Sequence, residues 1–371
     1  MNENLREFSN HLRCPITQTR LREMSLDEIE KINSRITKGE LFHFDRSVVQ
    51  RELSVGLISV DSKLGYAVED DIAILLENLA MVIEEDAVEK KTEYFIKKEK
   101  KQVQEFYDQI GWKKGEEEQF VDALKFEDLR EVSKDYIQQC HLRVNRYLNP
   151  GGKYLLDVAS GPIQYPEYLT YSSNYEARIC VDISILALKE AKKKLGEKGI
   201  YILGDITNLP FEDNSIDGVV SLHTIYHVPE DEQGKAFEEI YRVLSPGCSA
   251  AIIYQWENPL PMYLPVLPFR VISKILRESK SLMKRTLEKS PKTSGTGLYC
   301  KSHNYQWFAK QKWDFDFELV VWRTLSVPFM RTFIHRYLLG KQFLNLIYWL
   351  EERYPYIMAR LGQYPIFVIN K

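Results

Sequence analysis

The sequence predicts an α/β chain, with an open, mostly parallel, doubly wound sheet, a small N-terminal α+β unit and helical insertions. Three observations carry this. Residues 153–161, Lys-Tyr-Leu-Leu-Asp-Val-Ala-Ser-Gly, form a short apolar run that ends on an acid and enters a small-residue turn. Two later apolar runs, Ile179–Asp182 and Tyr201–Asp205, also end on acids. Finally, strand-like segments at 153–159, 178–182, 200–204, 216–222 and 249–255 alternate with helical ones near 164–172, 185–196 and 231–244. Such alternation argues for parallel strands joined by right-handed crossovers. The three acids then fall along the edge where open sheets bind ligands. Any one of them alone could be a helix cap.

In chain order, residues 1–90 read as a separate unit. It begins at His11-Leu-Arg-Cys14-Pro-Ile-Thr17 and closes, over Leu57–Leu76, as alternating strands around tight turns. Ile83–Lys101 is rich in Glu and Lys, as a solvated helix or linker would be, and marks a boundary. Residues 91–150 follow as linker and helices, including the aromatic segment Glu105–Trp112. The sheet domain occupies 151–371. Beyond its fifth strand, Pro259, Pro261, Pro265 and Pro268 break an apolar stretch, and Phe269–Glu288 reads as a basic amphipathic helix. That helix either covers the core or lies on a membrane surface. Phe315–Leu325 is expected as the sixth strand, Val327–Leu361 as a helical insertion and Tyr364–Ile369 as the closing strand. Pro365 suits an edge strand, because it cannot donate to a central ladder. Insertions at 256–312 and 327–362, rich in aromatic and apolar residues, are expected to build a substrate pocket for a molecule with an apolar or planar part.

These residues together resemble the class I S-adenosylmethionine-dependent methyltransferases, in particular the small-molecule and quinone methyltransferases. The resemblance rests on Asp157-Val-Ala-Ser-Gly161-Pro-Ile163, Asp182, Gly204–Phe211, Asp217–His223 and Tyr241–Gly247 in that order. It implies a Rossmann-like seven-stranded sheet with an antiparallel last strand. It also implies S-adenosylmethionine (SAM) held by Asp157, Ala159, Ser160, Gly161, Asp182, Ile183, Gly204, Asp205, Ile206, Ser221 and Leu222. In such a site Asp157 lies near the methionine end, Asp182 takes the ribose diol and Asp205 reaches the adenine amine, with Ile206 beside the ring. The family's loop usually carries three glycines; here only Gly161 remains, and Ile163 puts a side chain where backbone would approach closely. The Cys14-Pro15 segment is similar to a zinc-ribbon-like methyltransferase activator, but Thr17 replaces the second cysteine of that pattern and no later pair exists. A Cys-ligated zinc site is therefore not expected, and a docking or lid role without metal is.

The sulfonium already activates its methyl group, so the protein must chiefly align an acceptor lone pair. For an O or N acceptor a base is also useful. His223, after the fourth strand, is the first candidate for base or acceptor orientation, and His303 the second. Tyr107 is a candidate contact to cofactor or substrate, weighed against plain aromatic packing. His227 is expected to order its loop.

Composition bounds the rest. A chain of 371 residues with 44% apolar content can bury a sizeable core. Its net charge of −3 argues against a nucleic-acid partner. The first residues lack an apolar signal core and no apolar run reaches membrane-spanning length, so a cytoplasmic location is expected. Five scattered cysteines fit reduced thiols and form no metal or disulfide pattern. Three functions follow: a small-molecule methyltransferase, an RNA or protein methyltransferase suggested by the N-terminal resemblance, or a SAM-binding protein without catalysis. Neither the acceptor atom nor the oligomeric state is written in these motifs.

Overall fold

The computed structural model describes residues 1–84, 97–115, 119–266, 268 and 298–371. The basic helix expected at 269–288 lies outside the described residues. Among the described residues twelve strands share one sheet: β1 Leu21–Glu23, β2 Gly56–Ser59, β3 Leu64–Glu69, β4 Ile72–Ile74, β5 Met81–Val82, β6 Gly152–Val158, β7 Tyr175–Asp182, β8 Gly199–Leu203, β9 Ile216–Leu222, β10 Leu244–Ile253, β11 Phe317–Arg323 and β12 Tyr364–Asn370. The order across the sheet is β1-β2-β3-β4-β8-β7-β6-β9-β10-β12-β11, with β5 paired to β3.

From β6 to β10 the strands run parallel. The chain lays β7 and β8 to one side of β6, then returns to lay β9 on the other. That reversal makes the C-terminal ends of β6 and β9 a topological switch point, where open α/β sheets form their crevice. Strands β7 and β8 are buried almost throughout, as strands covered on both faces must be. Neighbouring residues serve opposite layers: Leu156, Val158 and Ile179 belong to one core, Leu155 and Cys180 to the other. The Ile185–Leu195 helix covers one face. Ser184 caps it by accepting from the Ala187 amide (3.2 Å), and Lys192, Lys193 and Lys194 sit in its last turn, where cations are favoured.

β12 is antiparallel to both neighbours, as the family resemblance implied. Its position is not the edge that Pro365 suggested, since it lies between β10 and β11. The ladder accommodates the proline at a register shift between Val321 and Arg323, next to the first residue of the strand. Pro365 still accepts, from the Tyr254 amide at 3.0 Å.

The N-terminal unit extends the same sheet. Its β3–β4 turn uses Asp70 and Asp71, both at positive φ (51° and 58°), the geometry of a two-residue hairpin. β4 then pairs in parallel with β8, Ile72 opposite Tyr201 and Ile74 opposite Leu203. Leu5, Phe8, Leu12 and Leu64 share a core with Leu156 and Val181. Cys14 is buried there, its Sγ 3.1 Å from the Tyr66 hydroxyl. Among the described residues no group of three His, Cys, Asp or Glu is arranged for a metal ion, and no helix is long and apolar enough to cross a membrane.

Candidate active site

One cavity of about 960 Å³ opens at the switch point. Ala159, Ser160 and Gly161 line it after β6, Asp182 and Ile183 after β7, Gly204, Asp205 and Ile206 after β8, and Leu222 and His223 after β9. Tyr107, Trp112, Asp122, Arg323, Val327 and Tyr364 are among its other lining residues.

The glycine-poor loop keeps its path at a conformational cost. Ala159, Gly161 and Ile163 all adopt positive φ, at 54°, 55° and 50°. For the alanine and the isoleucine this left-handed geometry is unfavourable by about 1–2 kcal/mol each. Ile163 does not block the crevice, because its side chain is buried in the core beneath. Gly161 is needed on two counts: its φ, and the Trp112 ring, which a Cβ would meet at 3.1 Å. Trp112 stacks on Tyr107 (centroids 4.7 Å, 14°), and its indole Nε1 is buried without an acceptor among the described residues. Tyr107 opens a π-helical turn, Tyr107–Gly111, a distortion common at functional sites.

Asp182 accepts the Gly161 amide on one oxygen (2.9 Å) and the Ser184 amide on the other (2.8 Å). Burial pushes its carboxyl up to about 7, against the pull of those bonds and with Asp108 and Asp157 adding to the rise. Such a carboxylate has lone pairs to spare for a diol. Asp205 is more occupied. One of its oxygens accepts the Thr207 amide and hydroxyl (2.8 and 2.9 Å), and the other accepts Lys100 Nζ at 2.6 Å. Lys100 comes from the Lys98–Phe106 helix, which also bonds the Ile183 carbonyl through Gln104 (2.8 Å). That helix is thereby fastened across the crevice.

Three expected residues lie elsewhere. Asp157 is buried behind the loop, where Arg178 of the adjacent strand donates to its Oδ2 through Nε (3.1 Å) and Nη2. Burial nevertheless shifts its carboxyl upward. Ser221 is buried in the ladder opposite Ile252, because strand alternation gives the cavity to Leu222 instead. His303 stacks on Trp307 (3.9 Å, 3°), and its neighbours Lys301 and Ser302 face the cavity in its place.

The two other histidines line the cavity. His223, at φ 58°, sets its ring against Trp322 (4.5 Å) and Tyr364 (5.2 Å). Burial, with Arg323 nearby, holds its pKa well below the usual value, so it is neutral at physiological pH. His227 Nδ1 lies 2.6 Å from the Tyr299 carbonyl. A carbonyl only accepts, so Nδ1 carries the proton and Nε2 keeps its lone pair. Burial lowers this ring to about 4.

Sequence reasoning missed Asp122 and the Arg323–Glu127 pair. Asp122 accepts from Gln164 (3.3 Å), and burial raises its carboxyl to about 6. Nothing local marks it, since its environment is assembled from distant segments. Arg323 Nη1 donates to Glu127 at 2.7 Å, its guanidinium lies 4.8 Å over the Tyr364 ring, and its buried Nε has no acceptor among the described residues.

Residues 156–252 match the family described as a methyltransferase domain. Among curated proteins, the chain is 28% identical over 182 residues to phthiotriol/phenolphthiotriol dimycocerosates methyltransferase 1 of Mycobacterium ulcerans (strain Agy99), covering 46% of this chain and 63% of that protein. It is 32% identical over 160 residues to cycloartenol-C-24-methyltransferase of Arabidopsis thaliana, covering 41% and 44%. The chain thus spans less than two thirds of the length of these relatives. A geranyl diphosphate methyltransferase solved with GPP and sinefungin is 13% identical, with a TM-score of 0.38 over 62% of this chain and 77% of that one. The matched segment spans the parallel strands from β6 to β10, so the chain contains a methyltransferase domain on a sheet of the class I, Rossmann-like order.

Proposed function

We propose that this protein transfers a methyl group from SAM to a hydroxyl on an apolar, lipid-like small molecule. The observation that carries the reading is a single cavity in which the strand-end acids Asp182 and Asp205 share walls with Tyr107, Asp122 and Tyr364. At about 960 Å³ it stands near the top of the usual range for small-molecule sites, roughly 300–1,000 Å³, with room for two ligands. A cavity of this size with aromatic walls favours a small molecule over RNA or a protein side chain. The names of the curated relatives, a phthiotriol/phenolphthiotriol dimycocerosates methyltransferase and a cycloartenol-C-24-methyltransferase among them, agree with a lipid-like acceptor.

The residues fit SAM on this chain's own geometry. Asp182, raised to about 7 with both oxygens turned to backbone amides, suits the ribose diol. Asp205 and Ile206 suit the adenine end, and the Gly161 cradle under Trp112 suits close approach. When bound, SAM supplies the electrophilic methyl carbon. The protein's part is to exclude water, hold the acceptor oxygen in line and receive its proton.

For the last task Asp122 is best matched. A base works best with a pKa near the working pH, and Asp122 at about 6 exceeds His227 at about 4 and the still-lowered His223. His223, neutral and wedged between Trp322 and Tyr364, is then a positioning group for the acceptor. With SAM supplying the methyl group, Asp122 would take the proton that the acceptor hydroxyl gives up as its oxygen is methylated. Residues 1–90 we assign to docking or lid duty without metal.

The test is calorimetric SAM binding by the wild type and Asp182→Ala, followed by radiolabelled methyl transfer to a panel of long-chain alcohols, sterols and prenyl alcohols. Binding that collapses in the variant, with transfer to a hydroxyl lipid, supports the reading. A folded wild type that binds no SAM sinks it, and transfer only to RNA or protein replaces it.

A further inference from the structure

Beside the cavity mouth lies an apolar surface that methyl transfer does not use. Tyr337, Leu338 and Leu339 are consecutive and 94%, 71% and 67% exposed. They form a short turn capped by Leu339 in the left-handed region (φ 55°), from which the Gly340–Arg353 helix departs. Leu344 and Glu351 turn inward from that helix, whereas Phe343, Leu346 and Trp349 continue the exposed side four, seven and ten positions after Leu339. Three large apolar residues on one open helix face, next to an apolar tip, are more than scattered surface hydrophobes.

This surface is continuous with the cavity. Arg130 donates to the carbonyls of Met330 (2.8 Å) and Ile334 (2.9 Å), and Arg331 to that of Leu124 (2.9 Å), which lays the 124–130 segment against the root of the tip. Exposed Leu124, Phe126 and Leu129 extend the apolar area there. Phe126, Pro328, Arg331 and Thr332 also line the cavity, so the patch begins at its mouth.

The charge on this stretch is mainly positive. Between residues 327 and 361 stand Arg331, Arg336, Lys341, Arg353 and Arg360 against only Glu351 and Glu352. Both acids are drawn toward Arg143, at 3.1 and 3.0 Å. Lys341 is paired with Asp135, which leaves Arg336 and Arg353 to flank the tip and the helix end. An aromatic and aliphatic face rimmed by arginines is the composition of a helix lying in a lipid interface.

We propose that this face docks on an anionic lipid bilayer, with Tyr337–Leu339 and the Phe343–Trp349 side of the helix entering the headgroup region so that the cavity opens onto the membrane. Binding to the bilayer needs no assumption about catalysis. Its purpose rests on the lipid-like acceptor proposed above, which would then be drawn from the membrane without crossing water.

The test uses the full chain in vesicle flotation, with phosphatidylcholine alone or mixed with phosphatidylglycerol. Salt-sensitive binding to the mixed vesicles is expected. Leu338→Asp/Leu346→Asp should weaken it by at least about tenfold, and Arg336→Glu/Arg353→Glu by roughly fivefold for each positive charge lost. Both variants should bind SAM in calorimetry as the wild type does, which reports an intact fold. The proposal is overturned if the wild type binds SAM but ignores mixed vesicles. It is equally overturned if the wild type is a dimer that Leu338→Asp/Leu346→Asp dissolves while vesicle binding persists, because the face would then belong to a second copy. Vesicle binding without methyl transfer to any hydroxyl lipid would count against the acceptor reading alone.

Discussion

The affinity for SAM should depend on pH through Asp182, and its surroundings set the size of the effect. The carboxyl accepts the Gly161 and Ser184 amides, makes no salt bridge among the described residues, and is pushed by burial up to about 7. A ribose diol donates hydrogen bonds, so it selects the carboxylate over the acid. If the bound group stays ionised, the dissociation constant should rise with the protonated fraction, about twofold at pH 7 and about tenfold at pH 6 relative to pH 8. Stability of the free protein moves the other way. Because the folded pKa stands above the ordinary value of 3.8, the contribution of Asp182 to stability is fully present below that value and is lost as pH rises through about 7. The loss is on the order of 4 kcal/mol at most. Calorimetric titration at pH 6, 7 and 8 reads the affinity, and urea unfolding the stability. Asp182→Asn should bind weakly at every pH and lose both slopes. Asp122, at about 6, titrates nearby, so Asp122→Asn serves as the control that keeps the SAM slope. An unchanged wild-type constant between pH 6 and pH 8, or the same slope in Asp182→Asn, would refute the assignment.

Other outcomes follow from single contacts. Arg178→Met leaves Asp157 buried without its partner and should cost about 3–5 kcal/mol in chemical denaturation, whether or not SAM binds. Gly161→Ala must pay for a left-handed alanine and push the Trp112 ring, so SAM affinity should fall by about tenfold, with a change in Trp fluorescence. Ala159→Gly relieves the same geometry and should raise stability by about 1 kcal/mol in thermal unfolding, a result that would be absent if that φ were unstrained. Asp122→Asn should lower kcat by about 10²–10⁴-fold and remove an acid limb near pH 6 while SAM binding is unchanged. A small kcat effect with the limb intact would move the base elsewhere.

Much of the sheet was legible because its signals are local. Apolar runs ending on acids specify parallel strands and their C-terminal edge, and β6 to β10 fall where those runs lie. Pro365 misled because a proline's cost depends on its partner: a register shift opposite it removes the hydrogen bond it could not make, and the strand then sits between two others. The join of β4 to β8 was also invisible, since an edge pairing between distant segments leaves no periodic trace.

The site divides along the same line. Ala159 to Gly161, Asp182 and Asp205 reach the cavity because each sits just past a strand, a position the sequence fixes by itself. Asp157 does not, and the reason stands one strand away: Arg178, opposite Leu155 in the ladder, is near enough to claim its carboxylate. Protonation is still less local. Asp122 and His223 owe their shifts to walls built from the segments around 107, 164, 323 and 364. A histidine after the fourth strand is the base expected from sequence, and the burial that places it at the cavity keeps it unprotonated while lowering its basicity. The same burial lifts an unremarked aspartate toward neutrality. Burial moves acids and bases in opposite directions, so in a desolvated methyl-transfer site the carboxylate, not the imidazole, ends nearer the working pH.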